Sequence, residues 1–309
     1  MYFALFSLEV SSFFSLGLIK PIKYVIIVFM EFQKIIVSLE NYWMRKGCFL
    51  WHPYATEVGA GTMNPATFFG ILGKEKWNVV YLEPSQRPAD ARYGENPIRL
   101  YQHHQMQVIL KPPPSKIQDI YIHSLKSIGI DVFKHDLRFI EDNWEAPTLG
   151  AWGVGWEVWL DGLEITQFTY MQQAGGINLD PVSVEITYGL DRIACFLQEK
   201  QSVFDIDWGS GVYYGTLYKQ REKQYSIFGF KEANVDLLWM CFDGFEKEAR
   251  LLLDKGLFYP AYDYVLKLSH IFNLLESRGA ISVSERTRII TRIRALANIC
   301  AQQYFEQKI

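Results

Sequence analysis

Residues 189–192 read Gly-Leu-Asp-Arg and follow the strand-like run Glu185-Ile-Thr-Tyr188. The wording places Gly189 where a strand passes into a helix and Arg192 in the first helical turn. That turn is positive through the helix dipole and favours acids. A cation set against the dipole reads as aimed at an outside anion, and a polyphosphate suits a guanidinium, or as a plain surface arginine, which the phrase taken alone favours. Upstream, Glu57-Val-Gly-Ala-Gly-Thr62 reads either as a loop whose glycines let backbone approach a ligand or as a plain connector. The alternating run 101–110 sets His103, Gln105 and Gln107 on one face and His104, Met106, Val108 and Leu110 on the other. Three neutral hydrogen-bonding side chains in a row suit a polar floor under a ligand or a solvated sheet face. His103 and His104 point apart and cannot chelate one ion. No paired-cysteine or H-E-x-x-H pattern offers a transition-metal site.

The elements that position these residues are legible in outline. Phe32, Ile35, Ile36, Leu39, Tyr42 and Trp43 follow helical spacing, with Arg45 and Lys46 in the last turn and Gly47 as cap. A short strand at 48–51 ends at Pro53. A strand at 79–82 enters the polar, turn-rich stretch 83–96. Alternating runs at 156–160 and 163–171, joined by Asp161-Gly162, form a hairpin with a type I′ turn. Short connections between strands favour an antiparallel sheet. After about residue 226 helices are expected at 237–255, 260–276 and 283–306, with Ser282 and Glu285 forming a capping box. Arg286, Arg288, Arg292 and Arg294 read as a solvated helix face or as an RNA or partner contact.

The 309 residues carry a net charge of −3 and no long basic run, which excludes a dedicated nucleic-acid binder. The 4 cysteines, Cys48, Cys195, Cys241 and Cys300, are far apart and read as reduced thiols of a cytoplasmic protein. Residues 1–29 are apolar, with charges only at Glu9, Lys20 and Lys23. They read as an upstream extension to a natural start at Met30, as a membrane-associated leader, or as an added ordered segment; the first is the expectation, and no membrane association is expected.

Several phrases together resemble a known family. They are Asn41-Tyr-Trp-Met-Arg-Lys-Gly-Cys48, Glu57-Val-Gly-Ala-Gly-Thr62, Arg92-Tyr-Gly-Glu-Asn-Pro97, Glu141-Asp-Asn-Trp-Glu-Ala-Pro-Thr-Leu-Gly-Ala-Trp-Gly153 and Glu185-Ile-Thr-Tyr-Gly-Leu-Asp-Arg192. From about Met30 to the C-terminus the chain is similar to the α subunit of bacterial glycyl-tRNA synthetases, which are class II enzymes. The resemblance implies an α+β fold: an antiparallel β-sheet catalytic core flanked by helices at 30–225, then a C-terminal helical domain at 226–309. It implies ATP, glycine and tRNA(Gly) as substrates, with Mg²⁺ travelling on ATP. It also implies an α–α homodimer and a separate β subunit that carries most tRNA recognition in an α₂β₂ assembly.

The resemblance assigns roles residue by residue. Arg87 and Arg192 are the phosphate ligands, with Arg92 and Arg99 as further ATP contacts and Gly189 beside them. The family often has a second arginine where Gln86 stands and commonly has Glu where Asp191 stands. Glu185 is the candidate for the glycine ammonium. Glu157 and Glu164 compete for it, and Glu164 is the one assigned to Mg²⁺. Gln167 and Thr166 are candidates for the substrate or the tRNA terminus. Trp144, Trp152, Trp156 and Tyr170 are candidate walls that would exclude a β-carbon, or simply core. Two alternatives stand: a ligase with another substrate, and a non-catalytic scaffold or RNA-binding paralogue.

Overall fold

The computed structural model describes residues 30–307, and the readings of 1–29 lie outside the described residues. Its centre is a seven-stranded sheet built from β1 (Phe49–Leu50), β2 (Trp77–Gln86), β3 (Gln102–Lys111), β4 (Leu137–Ala146), β5 (Ala151–Leu160), β6 (Leu163–Ala174) and β7 (Ile177–Gly189). The strand order is β1-β2-β3-β7-β6-β5-β4. Only β1 pairs in parallel, with β2; all other neighbours are antiparallel. The fold is α+β with an antiparallel sheet, as the short connections required.

The hairpin 151–174 turns where the sequence places it. Asp161 and Gly162 have φ of +48° and +85°, as a type I′ turn needs. The strand at 79–82 runs on to Gln86 through Pro84. Pro84 lies beyond the end of β1, which pairs only with Val79 and Val80, so its missing N–H breaks no ladder. β4 and the helix α3 (Ile117–Ser127) are additions to the sequence reading.

Each face of the sheet has its own core. The rear face carries Met106, Val108 and Leu110 of β3, Val184, Ile186 and Tyr188 of β7, and Phe168 of β6. Against it pack α1 (Phe32–Arg45), α3 and α4 (Leu190–Leu197) through Phe32, Leu39, Trp43, Tyr121, Leu125 and Ile193. The front face carries Val79, Tyr81, Ile109 and Met171. The helices α6 (Val235–Leu253), α7 (Phe258–Ser277) and α8 (Val283–Glu306) join that core through Phe242, Tyr262, Leu266, Ile293 and Ala297. The Ser282–Glu285 capping box is present at the start of α8. Residue 226 lies inside α5 (Tyr214–Ile227).

Alternation along the front face changes character partway. β2 runs Val79, Tyr81, Glu83, Ser85, and β3 runs His103, Gln105, Gln107, Ile109. One end of the face is therefore apolar and covered by helices, and the other is polar. The polar end is where β7 hands the chain to α4.

Asp191 is turned away from that end. Its carboxylate is buried and accepts from His104 N at 2.8 Å and from His104 Nδ1 at 3.1 Å. Burial alone would raise its pKa, but the His104 bonds outweigh this and hold it below the usual carboxylate range. His104 in turn sits among the rings of Phe32, Trp208, Tyr214 and Tyr218. The acid one residue before Arg192 is thus a clamp between α4 and β3. Because the folded pKa is lowered, its stabilisation is present above the unfolded value and is lost as pH falls through the folded one. Asp191→Ala should cost about 2–3 kcal/mol by stranding buried donors, lowering the unfolding temperature by several degrees in calorimetry at neutral pH.

Candidate active site

Glu185 stands on the front face of β7, only 1% exposed. Its Oε1 accepts from Thr62 Oγ1 at 2.7 Å and from Thr187 Oγ1 at 3.4 Å, while Oε2 has no hydrogen-bond partner. Burial pushes its pKa up to about 7, and the neighbouring Thr62, Thr187 and Gln107 side chains offset only part of this. The orphan is not isolated. His103 Nε2, Gln107 Nε2, Thr169 Oγ1 and Ser183 Oγ are also buried without partners. All of them lie on the same front face, on strands β3, β6 and β7. Native interiors leave few such groups, so a cluster of them marks a surface complementary to a polar ligand.

The loop 57–62 forms one wall of this site. Gln86 N donates to Val58 O at 2.8 Å, Gly61 N to Gln105 Oε1 at 3.1 Å, and Tyr81 Oη to Gly61 O at 2.8 Å. At Gly61 an added Cβ would lie 2.6 Å from Gln107 Oε1, so a larger residue would displace the Gln107 side chain. Glu83 anchors the preceding segment by accepting from Asn64 Nδ2 at 2.6 Å and from Tyr54 N at 3.3 Å. The loop is thus a fixed part of the site. Thr62 is read in the sequence only as the end of the loop 57–62, and Thr169 and Thr187 carry no motif there, because a small polar residue in a strand has no pattern of its own.

Charge gathers at the open end. Arg87 leaves β2 and donates from Nε to Gly59 O at 2.9 Å. Arg192 donates from Nη1 to Glu164 Oε2 at 2.7 Å and to Glu164 O at 3.1 Å. Burial lowers the pKa of Arg87, and Arg192 lowers it further, while Asp90 and Glu164 oppose this. His103 lies in the same field. Burial, with Arg87 and Arg192, brings its imidazole down to about 4, so it is neutral at physiological pH. The structure therefore brings Arg87, Arg192, Glu164 and His103 together at the end of the row that contains Glu185.

The remaining candidates divide. Gln167 shares the front face and donates from Nε2 to Asp142 Oδ2 at 2.7 Å. Glu157 is opposite Gln167 on β5, two strands from Glu185, and accepts from Trp159 Nε1 at 2.9 Å. Gly189 caps α4 at φ −82°, and a Cβ there would make only ordinary contacts, 3.4 Å from Ile165 O. Arg92 is turned to the carbonyls of Ala89 and Ala91 at 2.9 and 2.6 Å. Arg99 pairs with Asp90 at 2.8 Å at the surface. Glu164 is taken up by Arg192, and among the described residues no group of three or more His, Cys, Asp or Glu could hold a metal ion.

Two expectations are corrected by the register. Thr166 lies on the rear face, buried, and accepts from Tyr121 Oη at 2.8 Å. Strand neighbours point oppositely, so Thr166 and Gln167 cannot serve one ligand. Trp156 and Tyr170 also face the rear, packing with Phe168 at 5.6 and 5.9 Å between ring centroids. Trp152 is 44% exposed and walls no pocket at Glu185. Of the four aromatics, only Trp144 packs with the front core. An open cavity of about 320 Å³, lined by Glu141, Val154, Trp156 and Tyr170 among others, lies at the outer strands and away from Glu185.

Known proteins agree on one relationship. Residues 32–309 match the family model described as glycyl-tRNA synthetase alpha subunit. A glycine–tRNA ligase alpha subunit from Coprothermobacter proteolyticus is 58% identical over 279 residues, covering 90% of this chain and 96% of that protein. Two solved structures of pyrrolysyl-tRNA synthetase from Desulfitobacterium hafniense are similar at 10% and 11% identity, with TM-scores of 0.41 and 0.38. They cover 59% and 60% of this chain, and 76% and 75% of theirs.

The burial of Glu185 sets a stability test. Its folded pKa is raised from 4.5 to about 7, so the folded state binds the extra proton between those values. Stability contributed at this position therefore falls as pH rises from 4.5 to 7. Glu185→Gln should stabilise the ligand-free protein at pH near 8 by on the order of 3 kcal/mol, read as a higher unfolding temperature, and much less at pH near 4.5. Equal effects at both pH values would contradict a buried ionisable carboxyl.

Proposed function

The chain belongs to the glycyl-tRNA synthetase α-subunit family, and from that premise we propose that Glu185, Arg87 and Arg192 divide the activation of glycine by ATP among them. The chain is a ligase subunit of glycine–tRNA synthesis. In the reaction so inferred, the carboxylate of glycine attacks the α-phosphorus of ATP, the bond to pyrophosphate breaks, and glycyl-adenylate forms. The 3′-terminal hydroxyl of tRNA(Gly) then attacks the adenylate carbonyl, and AMP leaves. No protein nucleophile takes part, so rate comes from positioning and from stabilising charge on the phosphate.

The observation that carries the site assignment is Glu185 Oε2, a buried acceptor without a partner. Glycine offers only an ammonium and a carboxylate. The ammonium would complete Oε2 and hold Glu185 ionised, since an adjacent cation favours the charged form. Gln107 lies beside the same carboxylate: its Oε1 is engaged by Thr187 Oγ1 at 2.7 Å, and its side chain favours the ionised form of Glu185. Arg87 and Arg192 supply bidentate donors for the phosphates, with Arg192 leaving Glu164 as it turns to ATP. Neutral His103 between them adds a hydrogen-bonding group without a third positive charge.

Mg²⁺ fits this site only as an ion carried by ATP. Among the described residues no group of three or more His, Cys, Asp or Glu could hold a metal ion, so the phosphates would supply most of its ligands, with Glu164 free to add one once Arg192 has turned to ATP. The subunit's partners in this reading are a second α chain, a β subunit and tRNA(Gly), in an α₂β₂ assembly. Cytoplasmic action accords with four free cysteines, and no helix among the described residues is long and apolar enough to cross a membrane.

Amino-acid-dependent ATP–pyrophosphate exchange tests the reading. Glycine should support exchange. Glu185→Gln should raise the KM for glycine at least about a hundredfold, because it removes one half of a buried charge pair. The KM for ATP should hardly move. kcat/KM for glycine should fall as pH drops below about 7, where free Glu185 takes up its proton. Arg87→Lys and Arg192→Lys should each lower kcat by roughly a hundredfold, since lysine lacks the planar fork. A glycine KM indifferent to Glu185→Gln would sink the assignment.

A further inference from the structure

Thr169 is the residue of the front face whose surroundings are least explained by packing. It is 0% exposed, and its Oγ1 has no hydrogen-bond partner. Its register partner across β6 and β7 is Glu185, whose Oε2 is likewise unpartnered. Side chains of directly paired residues are close neighbours on one face. A hydroxyl beside a carboxylate would ordinarily donate to it in a strong charge-assisted bond. Here neither group bonds the other, and both remain available to a third group.

The backbone on the far side sets the orientation of Thr169. Its register partner on β5 is Gly155, and Gly153 is the next residue on that face. A Cβ added to Gly153 would lie 2.5 Å from Thr169 Cγ2, and one added to Gly155 would lie 3.0 Å from Thr169 Cα and 1.9 Å from Phe168 O. The methyl of Thr169 therefore occupies space that only a glycine leaves open. With the methyl on the β5 side, the hydroxyl is turned away from β5.

We propose that Thr169 Oγ1 is a second acceptor for the substrate ammonium, shared with Glu185 Oε2 and oriented by the two β5 glycines. The proposal rests on the assignment of Glu185 to the ammonium. An ammonium has three donors and no acceptor, so one carboxylate oxygen and one hydroxyl oxygen satisfy two of them. The hydroxyl's own proton then remains free to point elsewhere. Glycine, with no side chain, fits a subsite this close to the sheet.

Thr169→Val removes the hydroxyl at nearly constant shape. In glycine-dependent ATP–pyrophosphate exchange by the α subunit assembled with its β partner, it should raise the KM for glycine roughly tenfold to a hundredfold. The KM for ATP should stay within about twofold, and the unfolding temperature should not fall, because the lost group made no bond. Thr169→Ser, which keeps the hydroxyl, should recover most of the affinity. If the valine variant does not fold, Thr169→Ala removes the same hydroxyl and Thr169→Ser remains its control. A glycine KM unchanged by loss of the hydroxyl, alongside a strongly impaired Glu185→Gln, overturns the role of Thr169 and leaves that of Glu185 intact. An unimpaired Glu185→Gln overturns both.

Discussion

A carboxylate that is buried and only half hydrogen-bonded is the constraint around which this structure is arranged. Glu185 lies in the middle strand of a seven-stranded sheet, with one oxygen engaged and one not. Removing charge from water is costly unless a partner repays it. The protein does not relieve the cost with a lysine or arginine at that oxygen. It fixes the surroundings instead: Thr62 comes from a loop tied down at Val58, Gly59 and Gly61, Thr187 from the same strand two residues on, and Gln107 from the adjacent strand β3. In the proposed function, stability lost at such a position becomes selectivity for a small cation that can enter. The sheet supplies rigidity, so the vacancy in the hydrogen-bond pattern cannot close by rearrangement.

The same logic, with opposite sign, governs the arginines. Burial disfavours the charge of Arg87, and Arg192 stands close enough to add to this. Glu164 neutralises Arg192 at 2.7 Å and bears on Arg87 as well. An ion pair of this kind holds the cations in place until a stronger anion arrives. A triphosphate would replace one carboxylate with several oxygens and relieve the repulsion between the guanidinium groups. In the proposed function Glu164 is therefore the counter-ion that holds the phosphate-binding arginines until ATP arrives. Asp191, next to Arg192 in sequence, serves the opposite end of the same helix turn. By gripping His104 it fixes α4 against β3, so the residue that follows it cannot drift.

What the sequence made legible follows from local rules, and what it hid follows from register. The split of β3 into His103, Gln105, Gln107 and Met106, Val108, Leu110 needs only the two-residue period, and both faces appear as read. Asp161-Gly162 and Ser282-x-x-Glu285 specify a turn and a cap almost alone. Thr166 and Thr169, by contrast, are indistinguishable until the strand's facing is known. That facing shifts at a β-bulge, where β5 and β6 slip between Val158 and Trp159. β4 escaped notice because it is an edge strand with Arg138, Glu141, Asp142 and Glu145 along it. Charges protect such an edge from pairing with other chains, and they also erase the apolar alternation that would reveal it.

The arginines of α8 bear on how the labour of tRNA charging is divided. Arg292 is bound to Glu246 and Asp243 and lies over the Phe242 ring, Arg286 pairs with Glu276, and Arg294 donates to Pro147 O. These bonds tie α8 to α6, α7 and the turn Pro147–Leu149 before β5, so these three guanidinium groups are spent on packing within the chain, while Arg288 is exposed. Phosphate contacts would require breaking them, at the cost of leaving Glu246, 9% exposed, with Arg250 as its one remaining cationic partner. A net charge of −3 offers no compensating field elsewhere. A chain with its cations so committed is suited to the chemistry at the tRNA's end rather than to holding the body of the tRNA. That is the physical reason for assigning the larger RNA surface to a partner subunit.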